Sequence, residues 1–353
     1  MIAMPKRTLK ILAVLLALLV LFFAVMYAAT PPKFSIPATV TDDVNLPAIM
    51  INGIRLHAET FGRGDAPVVI VLHGGPGNDY KYLLSLRVLA DRYRVVFYDQ
   101  RGAGLSQRVP GSALNVDDYL AELDGVVEHY SADAPVLLVG HSWGAMLATA
   151  YLGKHPQKVE AAVLAEPGFL NSELAETFYG KTNRMMPPIS AGLVWHVVRT
   201  WFESLHVAGP DADASRDYLI QQITEAEVEG HPIAGYFCGG KLQKLPTWRF
   251  GSTALMTTRI IADDEGRIRI DLVSGVDRYE GRVLFLSGSC NVLSGPEHQR
   301  KQMRFFRHAE LAVIEGAGHP MFSDKPAESL AAVRNFLGSL HAGDSQTQDA
   351  ITE

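Results

Sequence analysis

Residues 139–144, Val139-Gly140-His141-Ser142-Trp143-Gly144, constrain the fold more than any other stretch of the chain. They follow an apolar run at 135–139 and precede the helix-forming Ala145-Met146-Leu147-Ala148-Thr149-Ala150. A G-x-S-x-G sequence between strand and helix predicts a turn so sharp that the central side chain stands strained and exposed at the sheet's carboxyl edge. Glycines two places before and after it let the turn close, because neither carries a Cβ. Ser142 is therefore the candidate nucleophile. The bland alternative is a chance match in a loop, which the flanking strand and helix patterns oppose.

A serine hydroxyl is a weak nucleophile near neutral pH, so Ser142 needs a base, donors for a developing oxyanion and an acid that orients the base. Residues 311–314 predict a short buried strand that runs into Glu315-Gly316-Ala317-Gly318-His319-Pro320. Those glycines allow a loop that carries His319 back over the sheet edge, and its place after the serine fits the chain order serine, acid, histidine. His319 is the candidate base among twelve histidines. His141 is expected to pack under the turn, and His155, His298 and His308 lie in polar, helix-like surroundings. For the oxyanion, residues 68–72 are a continuous apolar run, as in a strand buried on both faces of a parallel sheet. The run ends in His73-Gly74-Gly75-Pro76-Gly77, whose turn exposes backbone N–H groups. Gly75 and Trp143 are the candidate donors, both through the backbone. A phosphate loop is the weaker reading, since no G-K-[ST] follows.

His73-Gly74-Gly75-Pro76-Gly77, then Asp99-Gln100-Arg101-Gly102-Ala103-Gly104-Leu105-Ser106, then Gly140-His141-Ser142-Trp143-Gly144 resemble the α/β-hydrolase superfamily and, within it, the proline iminopeptidase branch. The resemblance covers roughly residues 48–170 and 281–340. It implies the α/β-hydrolase fold: a mostly parallel sheet flanked by helices, with a helical cap inserted. It also implies that Asp99 and Arg101 buttress the site rather than react. Many hydrolases of other specificity share these motifs.

The acid departs from the family pattern. Relatives carry an aspartate in the loop after the seventh strand, and this chain has Ser289-Cys290-Asn291-Val292-Leu293 there, with Asn291 near the expected position. Three readings are open: the acid has moved, Asn291 is a weaker orienter, or the enzyme is impaired. A relocated acid has a candidate in Glu166, at the end of the sixth strand (159–165) and before Pro167-Gly168. Asp324 is a further, lesser candidate. The two cysteines, Cys238 and Cys290, are expected to be free.

Residues 11–29 run without a charge behind Lys6, Arg7 and Lys10. A signal-peptide core spans about 7–15 residues and a membrane-spanning helix about 20, so the stretch predicts an uncleaved signal anchor with the lipid bilayer as partner. Positive charge on its amino side keeps that end in the cytoplasm and exports the rest of the chain, to the periplasm or exterior. Cleavage after residue 29 would give a secreted form instead. The expected organisation is an anchor at 1–30, a linker at 31–47 that holds the domain off the membrane, a core at 48–170 and 281–341, a cap at 171–280, and a disordered tail at 342–353.

The cap's pieces are expected to be helical over 171–179, 192–205 and 214–228. The resemblance implies that cap carboxylates hold a substrate amine, for which Glu173, Glu176 and Glu225 are the candidates, although the Glu run reads more simply as a solvated helix face. A net charge of −6 and the lack of a basic, aromatic-interleaved patch argue against nucleic acid. No motif has metal-ligand spacing, and neither metal nor cofactor is expected. The sequence thus predicts a serine hydrolase acting on a small molecule or short peptide. The resemblance makes an aminopeptidase releasing N-terminal proline or a similar small residue the leading class, with an esterase or lactonase as its rival; a non-catalytic binding protein on the same fold is the alternative of a different kind.

Overall fold

A computed structural model describes residues 6–30, 34–185, 189–226, 231, 233–257, 262 and 267–340. Among these, eight strands form one sheet in the order β1-β2-β4-β3-β5-β6-β7-β8. They are β1 (Ala48–Ile51), β2 (Ile54–Phe61), β3 (Val68–Leu72), β4 (Arg94–Tyr98), β5 (Val136–His141), β6 (Val159–Ala165), β7 (Arg282–Gly288) and β8 (Ala309–Ile314). The β1–β2 and β2–β4 pairs are antiparallel, and all pairs from β4 through β3 to β8 are parallel. Asn52 and Gly53, both at positive φ, make the tight turn between β1 and β2, as expected for a two-residue Asn-Gly hairpin.

The continuous apolar run of β3 resolves into two faces once folded. Val69 and Val71 enter one core cluster, whereas Val68, Ile70 and Leu72 enter the other. This alternation at period two, with both faces dry, is why no polar residue interrupts the strand. The helices are α1 (Lys6–Ala29), α2 (Val116–Tyr130), α3 (Trp143–Lys154), α4 (Ser172–Met185), α5 (Ala191–Ser204), α6 (Ala214–Thr224), α7 (Ser252–Met256), α8 (Pro296–Met303), α9 (Met321–Asp324) and α10 (Pro326–Ser339). Eleven of the twelve residues of α3 are buried, so it is the helix on which one core layer is built.

The insertion between β6 and β7 closes at its base, where Asn171 bridges Asp271 and the Leu272 N–H donates to Leu170 O at 2.9 Å. Charge then ties the cap to the core. The fully buried Arg249 guanidinium reaches Asp211 at 2.6 Å and Asp217 at 2.8 Å, and Arg108 of the core meets Asp217 at 2.9 Å. Helix α6 ends at Thr224, short of the expected 228, and Glu227 and Glu229 lie outside the described residues, as does the tail at 342–353.

Two expectations are corrected here. Cys238 and Cys290 form a disulfide, with Cα atoms 4.9 Å apart, because the cap segment at 234–240 folds down onto the loop after β7. Residues 34–47 are no free spacer: Val40 is buried, its N–H donates to Leu105 O at 2.8 Å, Pro37 O accepts from Arg249, and Phe34 bridges Val207.

Candidate active site

Strands β3, β5, β6 and β7 all end at one edge of the sheet, and each contributes there. Ser142 joins β5 to α3 at φ 54° and ψ −119°, a left-handed conformation that a side chain tolerates only when the surroundings enforce it. The enforcement is visible at the two glycines. A Cβ on Gly144 would stand 2.1 Å from Leu72 O, and one on Gly140 would stand 2.5 Å from Gly144 O. Close passage of α3 over the end of β3 therefore requires glycine, and it aims the positive end of the α3 dipole at the serine.

His319 enters from the loop between β8 and α9, and its N–H donates to Tyr236 O at 2.7 Å. The Tyr236 ring stacks on the imidazole at 4.2 Å between centroids. His319 Nδ1 lies 2.7 Å from Glu166 Oε2. Glu166 is fully buried, at a positive φ of 45° just beyond β6. Its carboxylate receives four donors, two to each oxygen: Ser287 Oγ at 2.9 Å and the Gly288 N–H at 2.8 Å on Oε1, Asn291 Nδ2 at 2.6 Å and His319 Nδ1 on Oε2. Burial pushes the Glu166 pKa up to about 7, and the donors from Asn291, Gly288 and Ser287 oppose that shift. Burial likewise pushes the His319 pKa down, which favours the neutral ring.

The orientation of Asn291 follows from its other contacts. Its Oδ1 accepts the N–H groups of Leu293 at 2.9 Å and Ser294 at 3.1 Å, so its amide nitrogen must face Glu166. Asn291 thus stands behind the carboxylate, and among the described contacts it touches Glu166 and not His319. Asp324 accepts the Gly318 N–H at 2.7 Å and supports the histidine loop from the far side.

A second chain of contacts links the glycine loop to the base. The Gly74 N–H donates to Tyr82 Oη, Tyr82 Oη meets His141 Nδ1, and His141 Nε2 meets the His319 carbonyl, all within 2.8–2.9 Å. A carbonyl only accepts, so His141 carries its proton on Nε2 and receives the tyrosine proton on Nδ1. Burial lowers the His141 pKa to about 3, which keeps this relay neutral. Gln100 ties the same loops together by donating to His73 O and accepting from Trp143 Nε1. Asp99 holds His57 and the N–H groups of Tyr80 and Leu105, and Arg101 pairs with buried Glu122. Neither Asp99 nor Arg101 lines the cavities at Ser142.

Ser142, Gly75, Tyr236 and Leu255 separate two cavities. The first, of about 250 Å³, holds Ser142 and His319 with Ile233, Phe237, Leu242 and Phe250 around them, and Glu225 as its one carboxylate. The second, of about 210 Å³, lies toward Trp143, Met146, Phe169 and Phe178. The N–H groups of Gly75 and Trp143 have no hydrogen-bond partner among the described residues. Glu225 is already engaged, with Lys244 at 3.5 Å and Thr247 at 3.2 Å. Glu173 pairs with Arg304 on the surface and Glu176 is exposed, both away from the cavities. No group of three His, Cys, Asp or Glu positioned for a metal occurs among the described residues. Tyr236, Tyr82 and the cysteine pairing escaped the sequence reading. Tyr236 stands in an insertion without a motif, and only the folded distance reveals the pair.

A family model described as the α/β hydrolase fold matches residues 67–202. A proline iminopeptidase of Heyndrickxia coagulans is 37% identical over 121 residues, 34% of this chain and 42% of that protein, so the match spans less than half of that relative. Epoxide hydrolase A of Mycobacterium tuberculosis is 26% identical over 321 residues, covering 82% of this chain and 96% of that protein. Among solved structures, a proline iminopeptidase-related protein from Thermus thermophilus superposes with a TM-score of 0.57 at 21% identity, covering 84% of this chain and 98% of that one.

Proposed function

Because this chain has the α/β-hydrolase fold, we propose that it is a serine hydrolase working through an acyl-enzyme on a small substrate with an apolar group. The observation that carries the reading is the His319–Glu166 contact at 2.7 Å on the edge that bears Ser142. The buried carboxylate holds the proton on Nδ1, leaving Nε2 as the base. Ser142 Oγ attacks the substrate carbonyl as Nε2 takes its proton, and the N–H groups of Gly75 and Trp143 receive the oxyanion. His319 then protonates the leaving group, and water resolves the ester by the same steps. Positive charge on His319 is stabilised by Glu166, whose four donors favour its ionised form against burial.

Two substrate classes follow from different observations. The three sequence motifs, the iminopeptidase relatives and the carboxylate of Glu225 in the first cavity support an aminopeptidase releasing a small apolar residue such as proline. The prior engagement of Glu225 by Lys244 and Thr247, with an otherwise apolar lining, supports an esterase or lactonase. We further propose that α1 spans a membrane and that the domain is exported. The helix carries Lys6, Arg7 and Lys10 at its start, buries none of its residues and is long and apolar enough to cross, and a disulfide suits an oxidising compartment.

The test is turnover of proline-nitroanilide against p-nitrophenyl esters and a lactone, with Ser142→Ala as the blank and fluorophosphonate labelling of Ser142. Preference for the anilide supports the aminopeptidase and preference for esters its rival. Absence of both labelling and turnover would leave a binding protein on the hydrolase fold.

A further inference from the structure

The cap helix α5 buries polar side chains while exposing large apolar ones. Thr200, Glu203 and Ser204 are buried alongside Phe202, with Glu203 accepting from Tyr218 Oη at 2.9 Å, and His196 reaches Gln222 O of α6 at 3.0 Å. The opposite side exposes Val194, Trp195, Trp201 and Leu205, each between 40% and 54%. Val194, Trp201 and Leu205 recur at helical spacing and make one stripe. A helix covering a water-soluble domain does the reverse, turning its apolar stripe inward.

The stripe continues into α1. Phe23 packs on Trp201 at 5.9 Å and on Phe202 at 5.5 Å between centroids, and Tyr27 lies 4.2 Å from His206. Beyond α1, Phe34 bridges Val207 and its carbonyl accepts from Ala208, so the end of α1 and the end of α5 are held together by backbone as well as by rings. Phe22 and Phe23 stand six to seven residues before the last residue of α1, which at ~1.5 Å per residue is about 10 Å. If α1 spans a bilayer, the aromatic contacts with α5 lie about that far below its outer end, within the 5–10 Å reach of a helix lying in the headgroup and acyl boundary.

We propose that the exposed stripe of α5 lies in the outer leaflet of the bilayer that α1 crosses, so that the cap is itself a membrane-surface element. The inference rests on the reading of α1 as a spanning helix. Tryptophan suits such a boundary because its ring is apolar and its indole N–H meets the headgroups. Arg199, exposed on α5 and paired with Glu203 at 2.8 Å, has a stem long enough to bring its charge to the same level.

The test reconstitutes the full chain into phosphatidylcholine vesicles whose lipids carry bromine near the top of the acyl chain, and compares tryptophan emission with that in unbrominated vesicles. Of the four tryptophans, Trp143 is buried in the core and Trp195 makes no ring contact with α1. Flotation of the vesicles with the protein, measured in parallel, reports whether the chain is membrane-attached at all. Flotation with bromine quenching, most of it lost in Trp195→Phe and Trp201→Phe combined and a clear part in Trp195→Phe alone, is the expected result. Flotation with unquenched emission, or with quenching confined to Trp201, overturns the proposal while the anchor stands, and leaves a second copy or another protein to cover the stripe. Failure to float removes the anchor reading and this proposal with it.

Discussion

Asn291 and His319 meet the same oxygen of Glu166, at 2.6 and 2.7 Å. The residue at the usual acid position and the candidate acid are thus parts of one assembly, in which the amide meets the carboxylate that meets the ring.

Removing the charge and removing its support should differ in size. Glu166→Gln keeps the shape and loses the anion, and kcat should fall by about 10²-fold to 10⁴-fold, the scale of replacing a triad carboxylate by its amide. Asn291→Ala removes one of four donors, and a loss of about 10-fold is expected for one hydrogen bond to a buried charge. Steady-state kinetics on the best substrate decide it. Near-normal turnover by Glu166→Gln would remove Glu166 from the mechanism.

Asn291→Asp should fail in a pH-dependent way. It sets a second carboxylate against Glu166, and such a pair holds one proton between its members until alkaline pH strips it. The variant should melt near wild type at pH 5 and lose about 3–5 kcal/mol at pH 8, the cost of an uncompensated buried charge. Equal destabilisation at both pH values would point to packing instead.

His298 gives the fold an acid limit. Its Nε2 lies 2.7 Å from Gly168 O, and burial lowers its pKa to about 4. The unfolded chain protonates this ring near 6.5, so the stabilisation is complete above pH 6.5 and drains away as pH falls toward 4, by up to about 3 kcal/mol. His298→Gln should flatten the melting-temperature profile across that window, and an unchanged slope would exonerate this histidine.

Reduction of Cys238–Cys290 should cost stability first. The bridge closes a separation of 52 residues, for which loop-closure entropy gives about 4 kcal/mol. Cys290→Ser, scored by chemical denaturation, should lower the midpoint by that scale, and it should lower kcat as well because the bridge holds the segment that stacks Tyr236 on His319. A variant as stable and as active as wild type would make the bridge incidental.

The parts legible in the sequence are those with strict local demands. The elbow at Ser142 requires Gly140 and Gly144, the β3 run must be apolar on both faces, and Asn52-Gly53 suits its turn, so the sheet and its active edge could be laid out from pattern alone. The sequence leaves Glu166 and Asn291 both open, because the contact that favours Glu166 joins it to His319, 153 positions away. Residues 34–47 looked like a spacer for their prolines, while the burial of Val40 depends on a surface built by residues far along the chain. Tyr236 left no trace in the pattern, since the contact it makes is with a loop that arrives 83 residues later.

The Cys238–Cys290 bridge gives the molecule a timetable. With only two cysteines in the chain, there is one intramolecular bond to make and no wrong isomer to sort out. If α1 carries the domain across a bilayer as proposed, the chain would meet oxidising conditions only on the far side, and the segment that stacks Tyr236 on His319 would gain its covalent tie after passage, having been held until then by non-covalent contacts such as the His319 N–H to Tyr236 O.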